Sequence, residues 1–506
     1  MEFQVVSGDI ASQRVDAAVV NLFQGVKSPG GATGAVDKAT GGVISQLIAD
    51  GELTGKSGEL VLIHTPKAAY PGFGPSRVLV AGLGPQDNFD IDAVRTVSAG
   101  VARRLRDAGV KSAATIVPGA GIAGLDLAQC AEALAEGTLL GLYRFDKYKS
   151  PNDDAKTGPE TLTIVERDQS KVSTIEQGVA RGKTFADAAV LARDLVNEPA
   201  NHLSPTVMAE RAKKVADDSG LKCQVLEAAD CEKLGMGAYL GVAKGSDQPP
   251  KFIHLSYEGD PGNAGNNVWL VGKSITFDTG GISIKPAQGM GNMKGDMGGG
   301  AAVIGAMQAI AALKPKINVY GVCAATENMP GGRAQRPGDV VQAMNGKWIE
   351  VDNTDAEGRL TLADGIGFAQ RNGAKRVVDI ATLTGAVIIA LGEGNIGVFS
   401  NNDELADQVI EAGRRRGEPM WRMPLDPLSK KLNESKIADV KNTGGRSAGS
   451  ITAAHFIQEF VDEGVPWVHL DIAAVNMTDS ARGVLVPGAT GQPTRSLIEL
   501  VLQLAV

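Results

Sequence analysis

Three short segments concentrate the residues able to do metal or acid–base chemistry. Lys273 and Asp278 lie in VGKSITFDTGG, Lys285 and Asp296 in IKPAQGMGNMKGDMGGG, and Asp355, Glu357 and Arg359 in NTDAEGRL. Four carboxylates on converging loops can hold two divalent ions by sharing oxygens. Ions paired about 3.5–4 Å apart polarise a carbonyl and lower the pKa of a bridging water. A lysine joins such a set only as a neutral amine, the form that nearby dications favour. Asp, Asn and Gly are also the ordinary residues of turns and helix N-caps, and any one of these acids is more often a solvated loop residue than a ligand. No His or Cys stands among them, so spacing alone suggests a metal site without identifying it.

Such residues act together only if strands and helices gather them. Residues 15–20, 77–81 and 114–117 read as strands and 93–108 as a helix, an alternation that predicts βαβ units and a mostly parallel sheet. The polar run KYKSPNDDAKTGP at 147–159 has the composition of a linker or exposed loop. A strand at 161–165 and a helix at 174–196 follow, with Ala188, Leu191, Ala192 and Leu195 on one helical face. We therefore expect two α/β domains, residues 1–165 and 166–506. In the second, strands are expected at 268–271, 317–326 and 376–383 and helices at 298–313 and 358–371. Asn345 and Gly346 are expected to join 340–344 to 347–351 as a hairpin. Functional residues of such sheets gather on loops at the carboxyl ends of strands, where the three segments fall.

The composition is that of an ordinary globular chain: 506 residues, 43% hydrophobic, 21% charged and only 4% aromatic. A net charge of −8, with no basic segment in the N-terminal part, disfavours nucleic acid and anionic lipid as partners. Four cysteines form no CxxC pair, which suits a reducing compartment. The opening MEFQVVSGDI has neither a cationic nor an apolar segment, and no apolar run reads as long enough to span a membrane. The expectation is a cytoplasmic protein without a signal sequence or membrane anchor.

The strings VGKSITFDTGGISIKP, MKGDMGGGAAV, ENMPGGRAQRPGD, NTDAEGRL and DIATLTGA, with RDLVNEPANHLSP before them and GGRSAGSITAA after, closely resemble the leucyl aminopeptidase family of cytosol-type dizinc peptidases. The match spans most of residues 185–475, with motifs in the family's order. The resemblance implies a macro-domain-like α/β N-terminal domain and a C-terminal metallopeptidase domain with a mixed sheet flanked by helices. It implies hydrolysis of the first peptide bond of peptides with a free α-amine, with Leu and other apolar first residues preferred. Lys273, Asp278, Asp296, Asp355 and Glu357 would ligate two divalent ions, Zn or Mn. Lys285 would stabilise the oxyanion, and Arg359 would hold a bicarbonate acting as general base. Met293, Thr382, Gly385 and Ala474 would line the pocket for the first side chain. A homohexamer acting on small peptides in the cytoplasm is implied as well. Two departures from the family's strings, Gly300 and the run DIAAVNM at 471–477, touch no implied ligand, although the second bears on the pocket.

Other signals point elsewhere. GAGIAG at 119–124 fits a dinucleotide fingerprint but reads more simply as a tight turn. GRSAG at 445–449, with His469 and Asp471 downstream, fits a nucleophile elbow, yet the residues before it do not read as a strand and the triad order differs. GDIASQRVDAAVVN at 8–21 resembles the macro domain, which implies an assembly scaffold before a ligand site. The rival function is a nucleic-acid-binding accessory role on the same hexameric scaffold.

Overall fold

The computed structural model describes residues 1–122, 124–150 and 156–505. Residues 151–155 of the polar run and Ala123 of GAGIAG lie outside the described residues. The chain divides into two units, Met1–Ala186 with Asp479–Val486, and Asp187–Thr478 with Pro487–Val506.

The first unit is built on six strands: β1 (Glu2–Ser7), β2 (Ala17–Phe23), β3 (Leu60–His64), β4 (Arg77–Gly84), β5 (Ser112–Thr115) and β6 (Thr161–Glu166). They lie in the order β1-β6-β5-β2-β4-β3, parallel except for β3. Helices α1 (Gly31–Ala39), α2 (Val43–Ala49), α3 (Ile91–Asp107) and α4 (Leu127–Leu142) accompany the sheet, as the alternating pattern predicts. Gly119, Gly121 and Gly124 of GAGIAG stand between β5 and α4, all at positive φ.

The expected boundary at 165/166 is displaced into the long helix α5 (Val172–Asn197). Packing explains the shift. Ile175 and Val179 belong to the apolar core of the first unit, and Gly178 and Gly182 approach α4 so closely that a Cβ on either would strike the Ala128 or Glu132 carbonyl. The first turns of α5 are thus bound to unit one, whatever the composition of the run before them.

The second unit carries helices α6 (Pro205–Ser219), α7 (Ala228–Lys233), α8 (Gly237–Ala243), α9 (Gly298–Leu313), α10 (Gly358–Arg371) and α11 (Gly385–Leu391). Its strands are β7 (Lys222–Leu226), β8 (Lys251–Glu258), β9 (Asn267–Asp278), β10 (Asn318–Asn328), β11 (Asp339–Gln342), β12 (Trp348–Val351), β13 (Val377–Ala381), β14 (Ile396–Ser400), β15 (Met420–Arg422), β16 (Val440–Lys441) and β17 (Trp467–Asp471). Eight of them form a mixed sheet in the order β15-β14-β17-β13-β9-β10-β8-β7. Its centre, β17-β13-β9-β10, is parallel, so four strands end on the same side. β11 and β12 form the expected hairpin. The residues before GRSAG, expected not to be a strand, do include one: β16 pairs with β12 over two residues, too short to leave a periodic signal.

One further expectation is corrected. Residues Met290–Leu313 are long and apolar enough by composition to cross a membrane, but 83% of their most apolar 18-residue window is buried inside the protein, as in the core helix of a globular protein. Helix α9 reaches the sheet through Gly298, Gly299 and Gly300. A Cβ at Gly299 would strike the Ile380 carbonyl, and one at Gly300 would strike Ser274 Oγ, so the side chain of Ser274 fills the space that Gly300 leaves. Gly299→Ala is therefore expected to destabilise the fold by about 3 kcal/mol through overpacking. Urea denaturation reads this directly, and an unchanged midpoint would show that helix and sheet can part there without cost.

Candidate active site

The site lies at the carboxyl ends of the central strands of the second unit. Lys273 and Asp278 come from β9, and Asp296 from the junction between a 3₁₀ turn (Met290–Gly295) and α9. Asp355 and Glu357 come from the loop between β12 and α10, with Glu357 in the N-cap position of α10. Carboxylates next to the first turns of α9 and α10 face the positive ends of those helices.

Lys273 Nζ lies 2.9 Å from Asp296 Oδ2 and 2.8 Å from Glu357 Oε1, and donates to the Thr382 carbonyl at 3.0 Å. Its stem passes over Gly358, where a Cβ would lie 2.5 Å from Lys273 Cε; the glycine of NTDAEGRL makes room for the amine. Lys285 Nζ lies 2.9 Å from Asp278 Oδ2 and 2.5 Å from Asp355 Oδ1. Oxygens of Asp278, Asp355 and Glu357 all fall within 4.8 Å of one another.

The electrostatics follow from burial. Lys273, Asp278, Asp296 and Glu357 are 4%, 2%, 7% and 1% exposed. Burial, then the charge of Glu357, raises Asp278 above the ordinary carboxylate range. Burial likewise raises Asp355, and raises Asp296 well above that range. Burial alone would lower both lysines, but Asp296, Glu357 and Asp278 outweigh it at Lys273, and Asp278, Glu357 and Asp355 outweigh it at Lys285, so both ammonium groups are held charged. Four carboxylates thus face two ammonium groups. Among the described residues, Glu357 Oε2 receives no hydrogen bond, and Asp296 Oδ2, Asp355 Oδ1 and Glu357 Oε1 meet only a lysine in ion contact. Buried acceptors in excess of donors, with surplus negative charge, are the donor set of a divalent cation.

Arg359 lies in the first turn of α10 and donates through Nη1 to the Asn442 carbonyl at 2.7 Å; it makes no ion pair with the four acids. Burial lowers its guanidinium to about 10, and its Nε has no acceptor among the described residues. Thr382 follows β13 and turns its hydroxyl to Asp296 Oδ1 at 2.7 Å, so it supports one of the four acids as well as standing at the expected pocket. Met293 sits on the 3₁₀ turn before Asp296, Gly385 opens α11 with free space where a Cβ would stand, and Ala474 is buried in the turn after β17.

Several supporting residues escape sequence reasoning. Asn328, at the end of β10, donates to Asp278 Oδ1 at 2.8 Å and to the Thr354 carbonyl at 3.0 Å. Asn442 accepts from the Asp352 and Asn353 amides and donates to the Asn353 carbonyl, which fixes the loop carrying Asp355 and Glu357. Asn476 donates to the Gly295 carbonyl at 2.8 Å. Asn328 stands inside a quoted string, ENMPGGRAQRPGD, and its place at a strand end was the available signal. The nucleophile-elbow reading finds no support. Ser447 is exposed, whereas His469 is fully buried in β17 with Nδ1 2.6 Å from Asp379.

Acidic and lysine donors converging at the strand ends of an α/β sheet define a divalent-metal site of the kind that activates water for hydrolysis. Comparison with known proteins specifies the kind. The chain matches the cytosol aminopeptidase family, its N-terminal domain over residues 19–152 and its catalytic domain over 190–498. It is 43% identical over 501 residues to a probable cytosol aminopeptidase of Alkaliphilus metalliredigens and 46% identical over 502 residues to one of Solibacter usitatus, covering 99% of each chain in both cases. Among solved structures it resembles the bottromycin maturation enzyme BotP (TM-score 0.85, 35% identity, 97% of this chain and 99% of that one). A tomato leucine aminopeptidase variant is similarly close (TM-score 0.86, 33% identity, 99% and 97%). BotP has also been solved in complex with Mn. The chain belongs to the cytosol aminopeptidase family and is a metallo-aminopeptidase that binds divalent metal.

Because Asn328 orients Asp278 from behind, Asn328→Ala is expected to weaken Mn²⁺ binding about tenfold or more. Calorimetric titration of chelator-stripped protein measures this, and wild-type affinity in the variant would remove Asn328 from the metal's support.

Proposed function

We propose that this aminopeptidase hydrolyses the first peptide bond of peptides with a free α-amine and prefers Leu and other apolar first residues. The observation that carries the reading is the set of buried carboxylate oxygens left without hydrogen bonds beside two lysines. Lys273, Asp278, Asp296, Asp355 and Glu357 would hold two divalent ions, Zn or Mn. When bound, the pair supplies a Lewis acid for the peptide carbonyl and an activated water.

The chain's own groups do the rest. Lys285, whose side chain is 22% exposed against 4% for Lys273, is the cation within reach of a substrate, and it donates to the carbonyl oxygen as negative charge develops there. Arg359 would hold a bicarbonate that accepts the proton of water. Its buried Nε without an acceptor supports an anion at that point. Met293, Thr382, Gly385 and Ala474 would form the pocket, small and apolar, for a Leu- or Met-sized side chain. We further propose a homohexamer working on small peptides in the cytoplasm, in line with the name its relatives carry.

Chelator-stripped protein with Mn²⁺ restored is expected to cleave leucine p-nitroanilide and to leave the N-acetylated compound intact, with Lys285→Ala lowering kcat about 10²–10³-fold. Equal cleavage of both compounds would overturn the reading. Wild-type activity is also expected to fall in carbonate-free buffer and to recover on adding bicarbonate, while Arg359→Ala is slow and indifferent to it. A variant that still responds to bicarbonate would place the anion elsewhere.

A further inference from the structure

The four expected pocket residues lie on three turns: Met293 on the 3₁₀ turn Met290–Gly295, Thr382 and Gly385 on the turn between β13 and α11, and Ala474 on the turn after β17. Two hydrogen bonds already tie the first turn to the others, Thr382 Oγ1 to Asp296 Oδ1 and Asn476 Nδ2 to the Gly295 carbonyl. The second and third turns meet at one side chain. Asp471, the last residue of β17 and fully buried, accepts from the Leu383 amide at 3.1 Å, the Thr384 amide at 3.4 Å and the Ala473 amide at 3.3 Å through Oδ1. Its Oδ2 accepts from Thr384 Oγ1 at 2.7 Å, and that hydroxyl in turn accepts from the Val387 amide to cap α11.

We infer that Asp471 is a positioning residue that sets first-residue selectivity, by clamping the 382–385 and 473–474 turns into one wall. A carboxylate suits this task, since its two oxygens accept several donors at once, and bonds to a charged acceptor are about twice as strong as neutral ones. The clamp acts at both ends of the wall. Residue 382 touches Lys273 and Asp296, while residues 385 and 474 belong to the two turns that meet at Asp471. This inference rests on the pocket reading above.

The test compares kcat/KM for leucine and alanine p-nitroanilides in the Mn²⁺-loaded protein. Thr384→Val keeps the shape of the side chain but removes the bond to Oδ2 and the α11 cap. It is expected to change the Leu:Ala ratio about tenfold, with bound Mn²⁺ per chain unchanged, and Thr384→Ser is expected to restore the ratio. Asp471→Asn, which cannot accept the Thr384 hydroxyl at the amide nitrogen, should move the ratio in the same direction. A residue that only holds the fold together would lower both substrates in parallel, and a ratio within twofold of wild type in Thr384→Val overturns the clamp. Ala474→Leu separates the two readings. If it shifts the ratio while Thr384→Val does not, the clamp alone fails; if it too leaves the ratio unchanged, the pocket reading fails and the clamp with it.

Discussion

Four carboxylates brought together away from water repel one another, and the apolar residues around them offer no compensation. The local answer is two lysines, each placed between a different pair of acids: Lys273 between Asp296 and Glu357, Lys285 between Asp278 and Asp355. Two cations do not balance four anions, so the site stays electron-rich and short of donors. The rest of the second unit holds this unfavourable arrangement in place. Parallel strands β9, β13 and β17 end together, and α9 and α10 begin beside the acids with their positive ends.

The two lysines show how the fold gives one residue type two settings. Lys273 grows from inside β9, packs against the backbone of Gly358 and donates to a main-chain carbonyl, so it is enclosed on all sides by its partners. Lys285 lies on an irregular segment after β9, partly open to solvent, with a backbone amide that donates to the Thr279 carbonyl. Under the function proposed above, the buried lysine in contact with acids would hold a metal, and the one that reaches solvent would meet the substrate. That difference comes from where each stem leaves the sheet, and its spacing in the chain carries no trace of it.

What the chain announces and what it hides divide along physical lines. Helix α10 and helix α9 were expected at 358–371 and 298–313 and occupy those residues, because long apolar periodicity is set locally. The four acids of the site were visible as unusual residues at strand ends, and the quoted strings brought them under one family resemblance. Asn328, Asn442, Asp471 and Asn476 were not seen as supports. Each is a single polar residue whose partner lies between 26 and 181 positions away or in a neighbouring turn, and a lone Asn or Asp near a loop looks like turn chemistry. The division at 186/187 was hidden for a related reason, since close contacts of Gly178 and Gly182 with α4 decide it and the polar composition of 147–159 does not.

The pair His469 and Asp379 shows why residue types alone mislead about chemistry. A histidine beside an aspartate at 2.6 Å is the core of a nucleophile relay, and a serine in a GxSxG string stands upstream. Here the pair spans neighbouring strands at the same level of the sheet, Asp379 opposite His469, and the second Asp379 oxygen takes the Trp467 indole N–H at 2.6 Å. Both residues are fully buried, and Ser447 is out in solvent. A relay must touch the reacting atoms, whereas the hydrogen bonds of this pair join β13 to β17 within the sheet. That alignment carries Thr382 and Asp471 to the same height at the strand ends. The histidine thus serves the metal site from beneath, through register, without taking part in its chemistry.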